Sequence, residues 1–158
     1  MSTGFSATTV ALAAFVHHAA AFAIFTALAV ELALLRTPLT LGSARRIQRA
    51  DLAYGIAAGV VLAVGLFRVY YFEKGSEYYF HSAPFIAKVS VFALVGITSI
   101  YPTLEFLKWG KTLKQGRIPE VSEDKLRVMR SVIHWELVGL LVVILCAALM
   151  ARGVGVFG

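Results

Sequence analysis

Four side chains that could do chemistry lie inside apolar segments that are long enough to cross a membrane. His17 and His18 interrupt the first segment, Arg68 lies at the end of the second, and Lys88 lies near the start of the third. Ionisable groups are costly in a bilayer and usually serve a function there. An imidazole can ligate iron or move a proton, and cations such as Arg68 and Lys88 can bind an acidic group. These residues are therefore the first candidates for a functional site.

The composition determines the class of protein that must position these residues. The chain has 158 residues, of which 59% are hydrophobic and 15% are charged, and its mean hydropathy is +0.78. Apolar stretches predict helices over 8–35, 51–72, 84–107 and 124–150, each near or above the ~20 residues of a spanning helix. A turn at Gly116 to Pro119 followed by Ser122 predicts that the last helix starts near Ser122. The connections leave no room for a second domain. We therefore predict one all-α domain over residues 1–158, a four-helix bundle embedded in the lipid bilayer.

The positive charges predict the orientation of this bundle. They are concentrated in the first and third connections, as Arg36, Arg45, Arg46 and Arg49, and as Lys108, Lys111, Lys114, Arg117, Lys125, Arg127 and Arg130. The positive-inside rule places both connections in the cytoplasm and both termini in the periplasm of a bacterial inner membrane. The net charge of +6 is then explained by topology and contacts with anionic lipids, and nucleic-acid binding is excluded.

Helical phase selects one histidine of the adjacent pair. His17 and Glu31 are fourteen residues apart, so they share a helix face within about 40°, whereas His18 is roughly 140° from Glu31. A carboxylate that faced lipid would be very costly, so the Glu31 face points into the bundle. We therefore expect His17 to face the interior and His18 to lie at a flank.

The same reasoning applies to the second and third helices. Tyr54 and Arg68 are also fourteen residues apart and share a face. Lys88 lies on the same stripe of its helix as Ser99. We expect an interior cleft that opens at the periplasmic surface, with His17 on its floor and Arg68 and Lys88 near its mouth. A second group of polar residues is expected nearer the cytoplasmic side, and it comprises Glu31, Asp51, Glu105, His134 and Glu136. Gly55 and Gly59 have the small-xxx-small spacing that favours close helix packing, which we interpret as packing within the bundle rather than homo-oligomerisation.

This arrangement of residues fits one b-type haem. His17 would be the axial and metal-binding ligand, Lys88 a second ligand or a substrate-binding cation, and Arg68 the partner of a propionate. Tyr54 would line the cofactor site. In a non-redox binding or transport protein, which is the rival interpretation, Glu31 would handle a proton. Each residue also has a simpler explanation, because His17 could be a hydrogen-bonded core histidine and the two cations could extend to the headgroups.

A two-haem cytochrome with four paired histidines is not supported. His81 falls in a loop, and His134 lies in the opposite leaflet from His17. His134 and Glu136 near the start of the last helix could form a proton entrance or contact a quinone. The simpler interpretation, which we favour, is anchoring at the membrane boundary together with an ion pair to Arg130.

Several short motifs carry a resemblance to a known family. They are the run Gly65-Leu66-Phe67-Arg68-Val69-Tyr70-Tyr71-Phe72, the pair Phe85 and Lys88, the segment Ser99-Ile100-Tyr101-Pro102-Thr103 with Trp109, and the closing Ala151-Arg152-Gly153. Over almost its whole length the chain resembles a bacterial family of small predicted membrane proteins of unknown function. That resemblance implies a membrane protein and no particular activity.

A more distant resemblance is to the membrane-bound, oxygen-independent protoporphyrinogen oxidases of bacteria, which are four-helix haem-b proteins. Phe15 and His17 match the first-helix histidine that follows an aromatic residue, and Lys88 matches the lysine that opens the third helix. The resemblance implies that both residues bind haem and support activity. The Asn-Glu-x-Pro signature of that family is replaced here by Ile133-His134-Trp135-Glu136, so the resemblance extends to haem binding more than to the porphyrinogen substrate.

Together these observations give one leading hypothesis and two alternatives. The leading hypothesis is a haem-b redox protein, and as an enzyme it would be an oxidoreductase that oxidises a tetrapyrrole or a similar substrate and passes electrons to quinone. Lys88, Arg68 and Glu31 would be its catalytic residues. The first alternative is a non-redox transporter or binding protein for a carboxylate or a lipid headgroup. The second is an accessory membrane subunit.

Overall fold

The computed structural model describes residues 5–72 and 81–155. It contains four helices, α1 (Ala7–Leu35), α2 (Leu41–Phe67), α3 (Ala83–Lys114) and α4 (Glu123–Ala151), and a π-helical turn at Arg68–Phe72 continues α2. All four helices are long and apolar enough to cross a membrane. The predicted all-α bundle of four spanning helices is confirmed, and the protein is a multi-pass membrane protein.

Polar caps determine where α2 and α4 begin. The Thr40 hydroxyl accepts a hydrogen bond from the Ser43 backbone N–H (3.0 Å), and the Ser43 hydroxyl accepts one from the Thr40 N–H (2.8 Å), which satisfies two backbone donors at the start of α2. This helix therefore begins ten residues before the predicted start at 51, because its basic first turns are helical without being apolar. The last helix begins directly after its cap at Ser122, as the sequence predicted.

The end of α3 is also later than predicted. The helix passes through Pro102 and continues to Lys114, seven residues beyond the predicted end at 107. It stops where Gly116 adopts a positive φ of 70°. The Gly116 N–H then bonds to the Leu113 carbonyl and the Arg117 N–H bonds to the Thr112 carbonyl, both at 3.1 Å. This pair of bonds is a Schellman motif, which satisfies the last carbonyl groups of the helix.

The helices form a ring in the order α1, α2, α3, α4. The most extensive contacts are between α1 and α2 and between α3 and α4, and the two remaining neighbouring pairs touch less. The fold is thus two helical hairpins packed side by side. We call the end with the 36–40 and 115–122 connections the basic end, and the end with both chain termini the terminal end.

The two ends of the bundle differ in how tightly they are packed. The packed half, next to the basic end, comprises residues 24–57, 95–114 and 123–140, and contains the hydrophobic core around Leu28, Ile47, Phe106, Met129 and Ile133. The open half, next to the terminal end, comprises residues 7–23, 58–71, 83–94 and 141–151. In this half neither α1 nor α2 has a single buried side chain. The interior of the bundle is therefore closed at one end and loosely covered at the other.

Two arginines connect the hairpins at the basic end. Arg45 on α2 donates from Nη2 to the Leu113 carbonyl at the end of α3 (3.3 Å), and Arg130 on α4 donates from Nη1 to the Leu35 carbonyl at the end of α1 (3.2 Å). Cations are favourable at helix C-termini, where the carbonyl groups lack intrahelical partners. Each hairpin thus caps a helix of the other.

Candidate functional site

The His17 imidazole lies against α2 in the open half. It packs over Gly65, where a Cβ atom would come within 3.1 Å of the ring carbon Cε1 and 3.6 Å of Nδ1. The Val61 carbonyl, one turn before Gly65, is within hydrogen-bonding reach of the ring. The Nδ1 atom is buried and has no hydrogen-bond partner among the described residues. The ring therefore fits a groove that exists because Gly65 has no side chain. Its Nδ1 atom lacks a hydrogen-bond partner among the described residues.

Two cations from two other elements lie near this ring. Arg68, in the π-helical turn, and Lys88, on α3, are both close enough to His17 for their charges to act on it. Both are partly buried, and the Lys88 ammonium lies 5.4 Å from the centroid of the Phe85 ring. The structure thus brings His17, Arg68 and Lys88 together, and we call these three residues the cationic cluster.

The neighbouring histidine has a different environment. His18 is exposed at the bundle surface, while His17 is partly buried. The two rings are perpendicular to each other, with their centroids 5.9 Å apart. His17 therefore faces the interior of the bundle and His18 does not. Helical phase predicted that His17 rather than His18 would face inward.

A second polar cluster lies deeper, in the packed half. Glu31 on α1, Asp51 on α2 and Glu136 on α4 are buried and are near enough to interact electrostatically. We call these three residues the carboxyl cluster. The Asp51 carboxylate accepts a hydrogen bond of 2.6 Å from the Thr103 hydroxyl of α3. Side chains from all four helices thus meet at this depth.

Tyr54 belongs to the carboxyl cluster rather than to the cationic one. Its ring is buried, its hydroxyl lies next to Ser99 of α3, and all three carboxyl groups act on it. Glu31 likewise lies with Asp51 and Glu136, and fourteen residues of helix separate it from His17, about 21 Å along the axis. Of the residues predicted for the cofactor site, Tyr54 therefore lies in the deeper cluster, and Glu31 lies there at the depth that the sequence predicted.

Two other polar groups of the packed half lie apart from the carboxyl cluster. Glu105 forms salt bridges with Lys108 (2.5 Å) and Lys125 (3.3 Å). His134 is exposed and stacks edge-on against Trp135. The predicted ion pair between Glu136 and Arg130 is wrong, because Arg130 pairs with Glu123 and the Leu35 carbonyl instead. Glu136 is six residues after Arg130 and lies on the interior face of α4. Its side chain therefore joins the carboxyl cluster.

Sequence reasoning did not predict which side chains Gly65 and Thr103 would contact. Glycine at 65 was visible as a small residue, but the helix that packs on it could not be identified without the ring order. Asp51 was grouped by depth with Glu31 and Glu136, but its position twenty residues after Glu31 gives no information about contact between two different helices. These contacts could not be predicted because the sequence does not show which helices are neighbours.

Comparison with known proteins places the chain in a family. Residues 9–155 match the family described as predicted membrane protein (DUF2214). The chain belongs to this family. The match covers both clusters and all four spanning helices, so the family includes the whole bundle. No curated protein and no solved structure matches the chain.

Proposed function

We propose that this protein binds one b-type haem in the open half of the bundle and works as a redox protein of the bacterial inner membrane. The observation that carries the proposal is the convergence of His17, Arg68 and Lys88 from three elements around a loosely covered interior. Haem needs an axial nitrogen ligand and cations for its two propionates, and four-helix bundles commonly supply such ligands.

Two features of the His17 environment support this proposal. Its Nδ1 atom is a buried nitrogen without a hydrogen-bond partner among the described residues, and the Val61 carbonyl is positioned to orient the ring. A backbone acceptor that fixes one edge of a histidine is the usual companion of a metal-ligating imidazole. The groove over Gly65 would be filled by any larger side chain. The chemistry of this donor set supports a role for His17 as an iron ligand.

The cations would hold the acidic edge of the cofactor. Arg68 presents a planar guanidinium that can bind a carboxylate with two parallel hydrogen bonds, and Lys88 presents a compact ammonium. When bound, haem would supply the one-electron chemistry, and the protein would supply orientation, charge compensation and exclusion of water. The substrate would be a tetrapyrrole or a similar donor and the electron acceptor a quinone, and this part of the proposal rests on the resemblance to protoporphyrinogen oxidases.

An absorption spectrum tests haem binding directly. We expect protein purified in mild detergent from haem-replete cells to be red, with a Soret band that is lost in His17→Ala and retained in His18→Ala. The His18 variant is the matched control, because it removes the adjacent imidazole from an exposed position. Circular dichroism of both variants checks that the bundle is still folded. Colourless wild-type protein from such cells would refute the proposal.

A second candidate function uses the same cationic cluster without haem. Arg68 and Lys88 could bind a carboxylate or the headgroup of an anionic lipid, and the positive charge of both side chains favours such an anion. Titration calorimetry with a short-chain carboxylate and with vesicles containing an anionic lipid would distinguish the two sources. Heat that disappears in Arg68→Gln together with Lys88→Gln, in colourless protein, would favour this alternative.

A further inference from the structure

The carboxyl cluster contains buried oxygen atoms that lack hydrogen-bond partners among the described residues, and haem binding does not involve them. Glu31 and Glu136 are each 1% exposed, and Glu31 Oε1 and both carboxyl oxygens of Glu136 have no hydrogen-bond partner in the described part of the chain. Thr98 lies beside Glu136, but its hydroxyl donates to the Leu94 and Val95 carbonyls. A buried polar atom without a partner costs about 1–3 kcal/mol, and more when it is charged. Such atoms point to a ligand.

The charged groups that act on Glu31 and Glu136 are acidic. In the described residues, the charged groups that act on Glu31 are Asp51 and Glu136, and α3 contributes only the neutral hydroxyl groups of Thr98, Ser99 and Thr103. The phenol of Tyr54 completes the surroundings. Three carboxylates without a cation repel one another in a medium of low dielectric constant. A bound cation would relieve this repulsion.

The proton is the cation that suits the cluster. Carboxyl groups exchange protons readily, and a proton needs one oxygen atom rather than a coordination shell. Nowhere in residues 5–72 and 81–155 do three or more His, Cys, Asp or Glu side chains have the geometry to hold a metal ion. Chains of intramembrane carboxyl groups are the usual construction of proton relays.

A groove between α2 and α3 lies beside Asp51, and its lining extends to Arg45 near the basic end. It has a volume of about 650 Å³ and is lined by Arg45, Gln48, Arg49, Asp51 and Thr103 together with apolar residues of α2 and α3. The Gln48 side chain donates to the Phe106 carbonyl at 2.5 Å, which holds one wall in place. Asp51 lines this groove and also acts on Glu31 and Glu136. It is therefore the member of the cluster that faces both the interior and the groove.

We propose that Glu31, Asp51 and Glu136 form a proton-exchange site, and that Asp51 is its connection to the aqueous side at the basic end. A proton that leaves the carboxyl group of Glu31 or Glu136 passes to the Asp51 carboxylate, and from there to water at the mouth of the groove. Uptake follows the reverse path. The Thr103 hydroxyl holds Asp51 in position for both transfers. This site works whether or not the cationic cluster binds haem.

Infrared spectroscopy of the full-length protein tests the proposal. The C=O stretching band of carboxyl groups should change with pH and should shift when the protein is transferred to D₂O. We expect Glu31→Gln and Glu136→Gln each to lose the part of the band that its carboxyl group contributes. Glu105→Gln is the matched control, since Glu105 is a buried carboxylate with two lysine partners outside the cluster, and it should leave the band unchanged.

Asp51→Asn separates a relay from a set of isolated carboxyl groups. We expect the band of Glu31 and Glu136 to remain in this variant and its shift in D₂O to slow by about a hundredfold, the low end of what a positioned proton-transfer group contributes. Thr103→Val, which keeps the carboxylate and removes its anchor, should slow the shift less. A band that is insensitive to Glu31→Gln and Glu136→Gln, or an exchange rate that is unchanged in Asp51→Asn, would overturn the proposal.

Discussion

The two halves of this bundle both contain ionisable side chains, but they pack differently around them. The packed half surrounds its acidic side chains with a dense apolar core, whereas the open half holds its basic side chains in a loosely covered interior. Tight packing fixes the positions of groups that must stay close together in a dry environment. Side chains in a less densely packed region are held by fewer neighbours. The comparison indicates that the packed half is the more rigid part of the bundle.

The largest expected effect comes from truncating the same residue type in both halves of α1. Leu28 is 1% exposed and Leu12 is 59% exposed. We expect Leu28→Ala to lower the free energy of unfolding by about 2–5 kcal/mol, because it leaves a cavity, and Leu12→Ala to change it by no more than about 0.5 kcal/mol. Unfolding in mixed micelles of SDS and a mild detergent measures both. Equal losses would show that the halves do not differ in packing.

A smaller loss is expected where α4 approaches α3 most closely. A Cβ atom at Gly139 would come within 2.7 Å of Val95 Cγ2, so Gly139→Ala should destabilise the fold by about 1–3 kcal/mol through overpacking. At Gly96 the same atom would meet nothing within 4 Å. Gly96→Ala should therefore be neutral or stabilising by up to about 1 kcal/mol, as expected from helix propensity. The same unfolding measurement compares the two, and a stabilising Gly139→Ala would contradict the close contact.

The hydrogen bond between Thr103 and Asp51 should contribute less. Replacing Thr103 by Val keeps the shape of the side chain and removes the donor of the 2.6 Å bond. We expect a loss of about 0.5–1.5 kcal/mol in the free energy of unfolding. The loss should vanish when Asp51 is already Ala, which removes the acceptor and makes a double-mutant cycle the suitable control. A loss of the same size in both backgrounds would mean that the effect does not come from this bond.

The smallest stability change is expected in the open half, at the His17 groove. A Cβ atom at Gly65 would come within 3.1 Å of the His17 ring, whereas at Gly59 it would meet nothing within 4 Å. Because the loosely covered ring can move, Gly65→Ala should change the free energy of unfolding by less than about 1 kcal/mol. It should still alter the NMR signals of the His17 imidazole, and Gly59→Ala should not. Unaltered His17 signals in Gly65→Ala would place the ring elsewhere.

The sequence was sufficient for the number, type and approximate limits of the spanning helices. Their apolar length made them visible, and the cap at Ser122 located the start of the last helix. The start of α2 was missed because its first turns, from Leu41, are basic and amphipathic, and the capping pair of Thr40 and Ser43 was the local signal that identifies it. Hydropathy alone measures the part of a helix inside the membrane, not the whole helix.

The candidate sites were predictable only in part. Helical phase is a property of one helix, so it could indicate which of His17 and His18 faces inward. To predict which residues of different helices lie together, one must know the order of the helices around the bundle. One must also know how deep each residue lies relative to those on the neighbouring helix. That is why Tyr54 was expected in the same cofactor site as His17 but lies with the carboxyl cluster instead.

The reciprocal caps of Arg45 and Arg130 have a mechanical consequence. Separating the two hairpins at the basic end breaks two charged hydrogen bonds to helix carbonyl groups, and each such bond is worth more than a neutral one. At the terminal end, α1 and α2 contribute no buried side chain to hold the hairpins together. The bundle is therefore expected to behave as a hinge whose pivot lies among the arginines and whose widest movement occurs around His17.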